Sequence, residues 1–237
     1  MRQTFTLILL AFVTVLSAQK EFKTTTALFG DLRARQIGPA VMSGRISCLA
    51  VNPKDATTIF IGAAGGGVWR TTSSGGQVQP VFDDHPQSIG AIAISPSNTD
   101  VVYVGTGEPW TRNSISVGAG VYKSTNNGSD WKAIGLENTE RIADISVHPE
   151  DANVLYVAAM GHLWDSNEER GVFKSADGGT SWEKVLYIDE DTGAANLAMD
   201  PNNPDVLYAA MLSPRRLPRS FYCGLHGKAA RSQPTNV

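Results

Sequence analysis

Two carboxylates and two indoles are the side chains best suited to chemistry. Glu108 and Asp165 could act as the acid and base of a glycosidase, a reaction that needs its two carboxyl groups about 5 to 10 Å apart. Near Glu108 stand Trp110, Arg112 and Asn113; near Asp165 stand His162, Trp164, Asn167, Glu168, Glu169 and Arg170. Rings for stacking, with carboxylates and amides to fix orientation, make the lining of a carbohydrate or peptide groove. Glu108, Trp110, Arg112, Asn113, His162, Trp164 and Asp165 are therefore the candidate ligand-binding residues. The plainer reading is loop packing: both indoles fold down over the protein while Glu168, Glu169 and Arg170 are solvated or pair locally. Nothing in the sequence sets the Glu108 to Asp165 separation, so no catalytic residue is assigned.

Metal and cofactor chemistry find no support. Cys48 lies in an apolar run and Cys223 far from it, which gives neither a metal spacing nor a disulfide framework. His85 and His148 each precede a proline at a turn, a structural setting, and His162 has no partners at ligand spacing.

The elements that must carry the candidate residues show themselves by repetition. ISCLAVNP, IGAIAISP, IADISVHP and AANLAMDP end at Pro53, Pro96, Pro149 and Pro201, at intervals of 43, 53 and 52 residues. Each is followed by a polar turn and a second apolar run, which places Phe60, Tyr103, Tyr156 and Tyr208 at equivalent positions. Alternation by two marks strands. Large residues recur at Leu49, Ile92, Ile145 and Leu197, and Ala50, Ala93, Ser146 and Ala198 stand on the other face. Small side chains suit strands crowded about a central axis. GVWRT, GVYKS and GVFKS supply a third strand, and KAIGL and EKVLY a fourth.

Four strands per unit of about 40 to 50 residues is the mark of a β-propeller blade, and a β-sandwich has no need of strands recurring in register. The fold expected is thus all-β, a β-propeller of four-stranded blades spanning about 45–88, 89–141 and 142–193, with a partial blade at 194–211. That amounts to about three and a half blades, whereas closed propellers have about four to eight.

Between third and fourth strands, STNNGSDW and SADGGTSW follow the pattern Ser-x-Asp-x-Gly-x-x-Trp, the Asp-box, with Asn126 in place of Asp in the first. Ser124, Asn126, Gly128 and Trp131, like Ser175, Asp177, Gly179 and Trp182, read as turn formers: the Asx side chain takes backbone N–H groups and glycine takes the positive φ. The motif defines architecture, not catalysis. In the first repeat it decays to Thr71, Ser73, Gly75 and Val78, which predicts the least well fastened hairpin. From second to third strand the aromatic markers are 9, 19 and 17 residues apart in repeats one to three. The two longer loops hold the candidate residues and emerge on one rim, where propellers usually bind.

The chain of 237 residues is 42% hydrophobic and 18% charged, which excludes disordered and fibrous classes. A net charge of −3 with scattered Lys and Arg gives no stripe for nucleic acid. Residues 1–18 combine Arg2, an apolar run from Phe5 to Leu16 and small Ser17 and Ala18. That is the layout of a secretory signal peptide, too short to span a bilayer; residues 19–44 form a lead-in, and the location expected is secreted or periplasmic. After Met211 the alternation stops, and the basic, acid-free stretch 212–237 reads as a tail outside the blades, in keeping with a shifted reading frame.

Taken together, GAAGGGVWRT, GTGEPWTRNS, GVYKSTNNGSDW, NEERGVFKSADGGTSW and TGAANLAMDP resemble bacterial secreted sortilin-like Asp-box (BNR-type) propellers, from about Arg35 to Met211. Xyloglucanases and sialidases share the repeat, as do photosystem II assembly-factor propellers, so proteins of this kind are often labelled glycosyl hydrolases. The resemblance to xyloglucanases would put a catalytic Asp near Ala64, where alanine carries no proton. The sialidase arginine triad and tyrosine nucleophile find no match. The expectation is an exported interaction module for a peptide or glycan, and the alternative is a truncated propeller-type glycoside hydrolase. No nucleic acid and no membrane span are expected; self-association through open blade edges is, and a second copy could close the ring.

Overall fold

The computed structural model describes residues 45–111 and 115–213, and the backbone alone of 222–225 and 228–230. The leader 1–18, the lead-in 19–44, Arg112 and Asn113 lie outside the described residues.

Four antiparallel sheets follow one another along the chain, each meandering from an inner to an outer strand. The first holds β1 (Ile46–Asn52), β2 (Asp55–Ala63), β3 (Gly67–Thr71) and β4 (Gln79–Pro80); the second holds β5 (Ile89–Ile94), β6 (Val102–Thr106), β7 (Val121–Ser124) and β8 (Lys132–Ala133). The third holds β9 (Ile142–Val147), β10 (Leu155–Ala159), β11 (Gly171–Ser175) and β12 (Glu183–Leu186), and the fourth β13 (Gly193–Met199), β14 (Leu207–Leu212), β15 (Tyr222–Leu225) and β16 (Lys228–Ala230). Inner strands β1, β5, β9 and β13 stand side by side in that order, the arrangement of propeller blades.

The side chain directly before the proline caps the first turn of each blade, Ser95 Oγ taking the N–H of Asn98 at 3.4 Å in the second. Asn52 Oδ1 accepts the N–H groups of Lys54 and Asp55 at 2.9 and 3.2 Å, Asp200 Oδ1 accepts that of Asn202 at 2.8 Å, and His148 Nδ1 accepts that of Glu150 at 3.2 Å. His85 packs its ring beside Phe82 and Tyr122.

In the fourth sheet, propeller-type sequence supplies only the inner two strands. The stretch after Met211, which sequence places outside the blades, extends β14 to Leu212 and adds the backbone of β15 and β16 to the sheet. Edge pairing uses main-chain N–H and C=O groups, so any extended segment can complete a ladder without an alternating sequence.

The core lies between blades. One cluster joins Phe60 and Val68 of the first blade to Ile92, Val102, Val104 and Tyr122 of the second. The next joins Tyr103 and Val121 to Ile145, Val147, Leu155, Val157 and Phe173, and the last joins Tyr156, Ala158 and Val172 to Leu197, Leu207 and Ala209. Every junction therefore sets the aromatic position of one blade against the Leu/Ile position of the next. The exposures follow: Phe60, Tyr103 and Tyr156 are 0, 0 and 4% exposed but Tyr208 is 41%, while Ile92, Ile145 and Leu197 are 9, 6 and 8% exposed but Leu49 is 60%. The first and fourth blades each present half a junction to solvent.

The Asp-box turns fasten blades as well as closing hairpins. Within the turn, Asp177 Oδ1 accepts the N–H groups of Thr180 and Ser181, both at 2.9 Å, and Ser175 Oγ accepts that of Gly179 at 2.8 Å. Hydrogen bonds from the Ser181 side chain and backbone, and from Ser175, hold the Asp177 carboxyl well below its usual range. Ser124 Oγ and Asn126 Oδ1 take the N–H groups of Gly128 and Asp130 in the same way, each at 2.9 Å. Trp131 and Trp182 then reach back to the preceding blade, donating to the carbonyls of Val81 and Ile134 at 2.7 Å. In return, Arg70 of the first blade donates to Asn127 O and Lys123 of the second to Gly178 O. Thr71 Oγ1 still accepts from Ser73 and Gly75 in the first blade, so the decayed hairpin keeps its turn bonds and lacks the tryptophan.

Candidate functional site

The loop after β6 carries Glu108 and Trp110, and the loop after β10 carries His162, Trp164 and Asp165. Both are knitted into the links between blades. Gly107 N–H donates to Ser88 O at 2.8 Å, Glu108 N–H to Ser116 O at 3.1 Å and Gly118 N–H to Glu140 O at 2.7 Å. Gly107 must be glycine: its φ is +89°, and a Cβ there would strike the backbone of Glu140 and Arg141. These hydrogen bonds tie both ends of the loop after β6 to the links between blades.

Glu108 is 1% exposed and its carboxylate meets the Arg45 guanidinium. It supports its loop from beneath, and its oxygens point toward protein instead of a substrate. Ala64 is also buried and donates its N–H to Arg45 O at 2.9 Å. Arg112 and Asn113 fall outside the described residues.

The second loop rests on two buried guanidinium groups. Arg170 donates to Met160 O and His162 O, each at 2.6 Å, and to Asp165 O at 2.9 Å. Arg141 donates to Gly161 O at 2.8 Å and His162 O at 3.0 Å. Burial pushes Arg141 down to about 10, with the neighbouring Arg170 charge adding to the effect and Glu140 opposing it. Sequence reasoning passed over Arg45 and Arg141. The signal was present, because each stands directly before the first strand of a repeat, in GRIS and ERIA.

His162 lies between a carboxylate and a carbonyl. Its Nδ1 is 3.1 Å from both Asp165 oxygens and its Nε2 is 3.0 Å from Asn138 O, with Glu140 at 3.9 Å. Both ring nitrogens face acceptors, so both bonds form fully only in the imidazolium. Desolvation lowers the His162 pKa, yet the Asp165 hydrogen bond, Glu140, the Asn138 carbonyl and the Asp165 charge outweigh it and carry the pKa above 6.5. The same His162 hydrogen bond leads the causes that lower the Asp165 pKa below 3.8. A raised histidine pKa stabilises fully below the unfolded value and is lost as pH climbs through the folded one; a lowered carboxylate pKa does the reverse. The clamp is therefore strongest between about pH 4 and 6.5. An NMR titration should find the His162 imidazole titrating above 6.5 in the wild type and lower in Asp165→Asn; an unchanged midpoint would remove the clamp.

Above these supports the indoles stand free of the fold. Trp110 is 59% and Trp164 83% exposed, which corrects the reading in which they fold down over the blades. Glu108, Arg141 and Arg170, by contrast, are all buried. The Glu108 carboxylate meets Arg45 and the Asp165 carboxylate meets His162. Cys48 is a free thiol, and burial pushes it up to about 11. Among the described residues, no group of three or more His, Cys, Asp or Glu is placed to hold a metal ion, and no helix is long and apolar enough to cross a membrane.

No known family's sequence model matches the chain. A curated protein of Neosartorya fischeri, named "Probable oligoxyloglucan-reducing end-specific xyloglucanase", is 29% identical over 171 residues, covering 68% of this chain and 19% of that protein. Among solved structures, an ancestral GH74 enzyme superposes with a TM-score of 0.63 at 22% identity, over 83% of this chain and 26% of the other. YCF48 bound to D1 peptide superposes with a TM-score of 0.53 at 12% identity, over 81% of this chain and 55% of the other. These likenesses show the propeller fold, and each covers only part of a longer protein.

Proposed function

We propose that the chain is a binding module whose rim holds an extended polysaccharide against Trp110 and Trp164. The observation that carries this reading is the pair of exposed indoles on loops anchored by buried ion-pair and guanidinium contacts. Exposed aromatic surface costs solubility, and holding it rigidly lowers the entropy lost when a ligand stacks on it. The partial likeness to a xyloglucanase favours a β-linked glycan. A peptide is the second reading, favoured by the similar propeller that holds one. A sortilin-like, exported protein would meet either ligand outside the cell, and a secretion reporter fused after residues 1–18 tests that step.

Hydrolysis is less well supported. A general acid must be protonated near working pH, whereas the Asp165 pKa is lowered, first by the His162 hydrogen bond, and Glu108 is turned inward to Arg45. Isothermal titration with xyloglucan oligosaccharides should show binding that falls about tenfold in Trp110→Ala and again in Trp164→Ala, the loss typical of a central aromatic contact. Sugar release that disappears in Glu108→Gln would replace the binding reading with the enzymatic one, and titration heat from the D1-type peptide alone would replace the glycan.

A further inference from the structure

Three polar side chains meet at Gly161 and His162, and together they carry more donors than the protein uses. Arg141 Nε donates to Gly161 O at 2.8 Å and Nη2 to His162 O at 3.0 Å, while Arg170 Nη2 donates to the same His162 O at 2.6 Å. Asn167 Oδ1 accepts the His162 N–H at 3.2 Å, and a Cβ on Gly161 would lie 2.7 Å from that oxygen and 3.1 Å from Arg170 Nε. A backbone N–H needs an acceptor, so the Asn167 amide is fixed with its oxygen toward His162 and its NH2 turned away. Arg141 Nη1 and Asn167 Nδ2 are left buried, with no hydrogen-bond partner among the described residues.

Positive charge is left over as well. Arg141 is 0% exposed, and every hydrogen bond its side chain makes goes to a neutral carbonyl. Burial, then the Arg170 charge, lowers its pKa; Glu140 opposes them, but its carboxylate lies 3.9 Å from His162 Nε2. A buried charge is costly unless it is compensated, and buried donors without acceptors call for a water or an ion. Water satisfies the N–H groups and leaves the charge; an anion answers both. We propose that Arg141 and Asn167 hold a small monovalent anion, chloride being the simplest, in the loop that carries Trp164. The ion accepts from Arg141 Nη1 and Asn167 Nδ2, and Arg170 adds a second positive charge nearby. Enclosure sets the class of ligand: both donor atoms are buried, so the anion must shed its water, and doubly charged oxyanions do so at far greater cost. The assignment is independent of what the rim binds.

Chlorine NMR on the full chain should show a chloride line broadened by the protein and narrowed again by excess bromide. The melting temperature should rise by about 3 to 6 °C for each tenfold increase in chloride above its dissociation constant, because a ligand held only by the folded state stabilises it by RT ln(1 + [L]/Kd). Potassium methanesulfonate at equal ionic strength should give no such rise. Arg141→Met should abolish both the broadening and the chloride response. Asn167→Asp retains the oxygen that His162 needs and sets a carboxylate in place of the ion, so it should fold, melt above the wild type in chloride-free buffer and no longer respond to chloride. This second variant keeps the test decisive if Arg141→Met does not fold. Equal melting in chloride and methanesulfonate would mean that water fills the position and would overturn the proposal. So would chloride broadening that persists in either variant, since the ion would then be bound elsewhere.

Discussion

Tyr103→Ala is expected to cost the protein about 3 to 5 kcal/mol, and the equivalent Tyr208→Ala less than about 1 kcal/mol. Tyr103 is fully buried at the junction between second and third blades, and its hydroxyl donates to Ala152 O at 2.8 Å. Truncation opens a cavity between two sheets and strands a carbonyl, and both effects add to the lost transfer energy. Tyr208 occupies the same place in its repeat with 41% of its surface in water, so little is removed from the core. Urea unfolding measures both. For a domain of this size the Tyr103 variant should melt roughly 10 °C lower. Equal losses would mean that Tyr208 is covered as Tyr103 is.

The contrast between these two tyrosines also shows what can be read from sequence. Phe60, Tyr103, Tyr156 and Tyr208 are one column in the amino-acid pattern, and the pattern identifies the blades because strand alternation and turn residues are local properties. Burial at a column position depends on whether a neighbouring blade exists, which no single repeat records. The same limit applies to the Asp-box. Its Ser, Asp or Asn, and Gly announce a turn, yet the reach of Trp131 to Val81 and of Trp182 to Ile134 spans about fifty residues of sequence and is visible only once blades are stacked. In the rim loops, length and composition single out Trp110 and Trp164, both of which are exposed. The supports were hidden because Arg141 and Arg170 act through backbone carbonyls, which have no residue signature, and because the Arg45–Glu108 pair joins residues far apart in sequence. Trp110 and Trp164 were harder still, because an indole can pack or protrude and sequence does not distinguish the two.

Arg170→Met is expected to destabilise the chain by about 3 kcal/mol and to weaken ligand binding at Trp164, with Arg141→Met costing clearly less. Methionine preserves much of the volume of the stem, so the difference reports the guanidinium. Arg170 serves three carbonyls, of Met160, His162 and Asp165, in a setting that is 1% exposed. A buried acceptor left unpaired costs about 1 to 3 kcal/mol, less where the chain can relax toward water. Asp165 O and His162 O lie in the loop and can relax, whereas Met160 O is fixed at the end of β10. Loss of Arg141 strands Gly161 O, but His162 O keeps its bond from Arg170. Removing either guanidinium relieves the same like-charge repulsion between the two, so the difference between the variants reports the hydrogen bonds. Urea melts and glycan titrations on both variants measure the two effects together. If Arg170→Met unfolds no more easily than Arg141→Met and binds as the wild type does, the loop holds its shape without the guanidinium, and the preorganisation on which the binding reading rests would have to come from elsewhere.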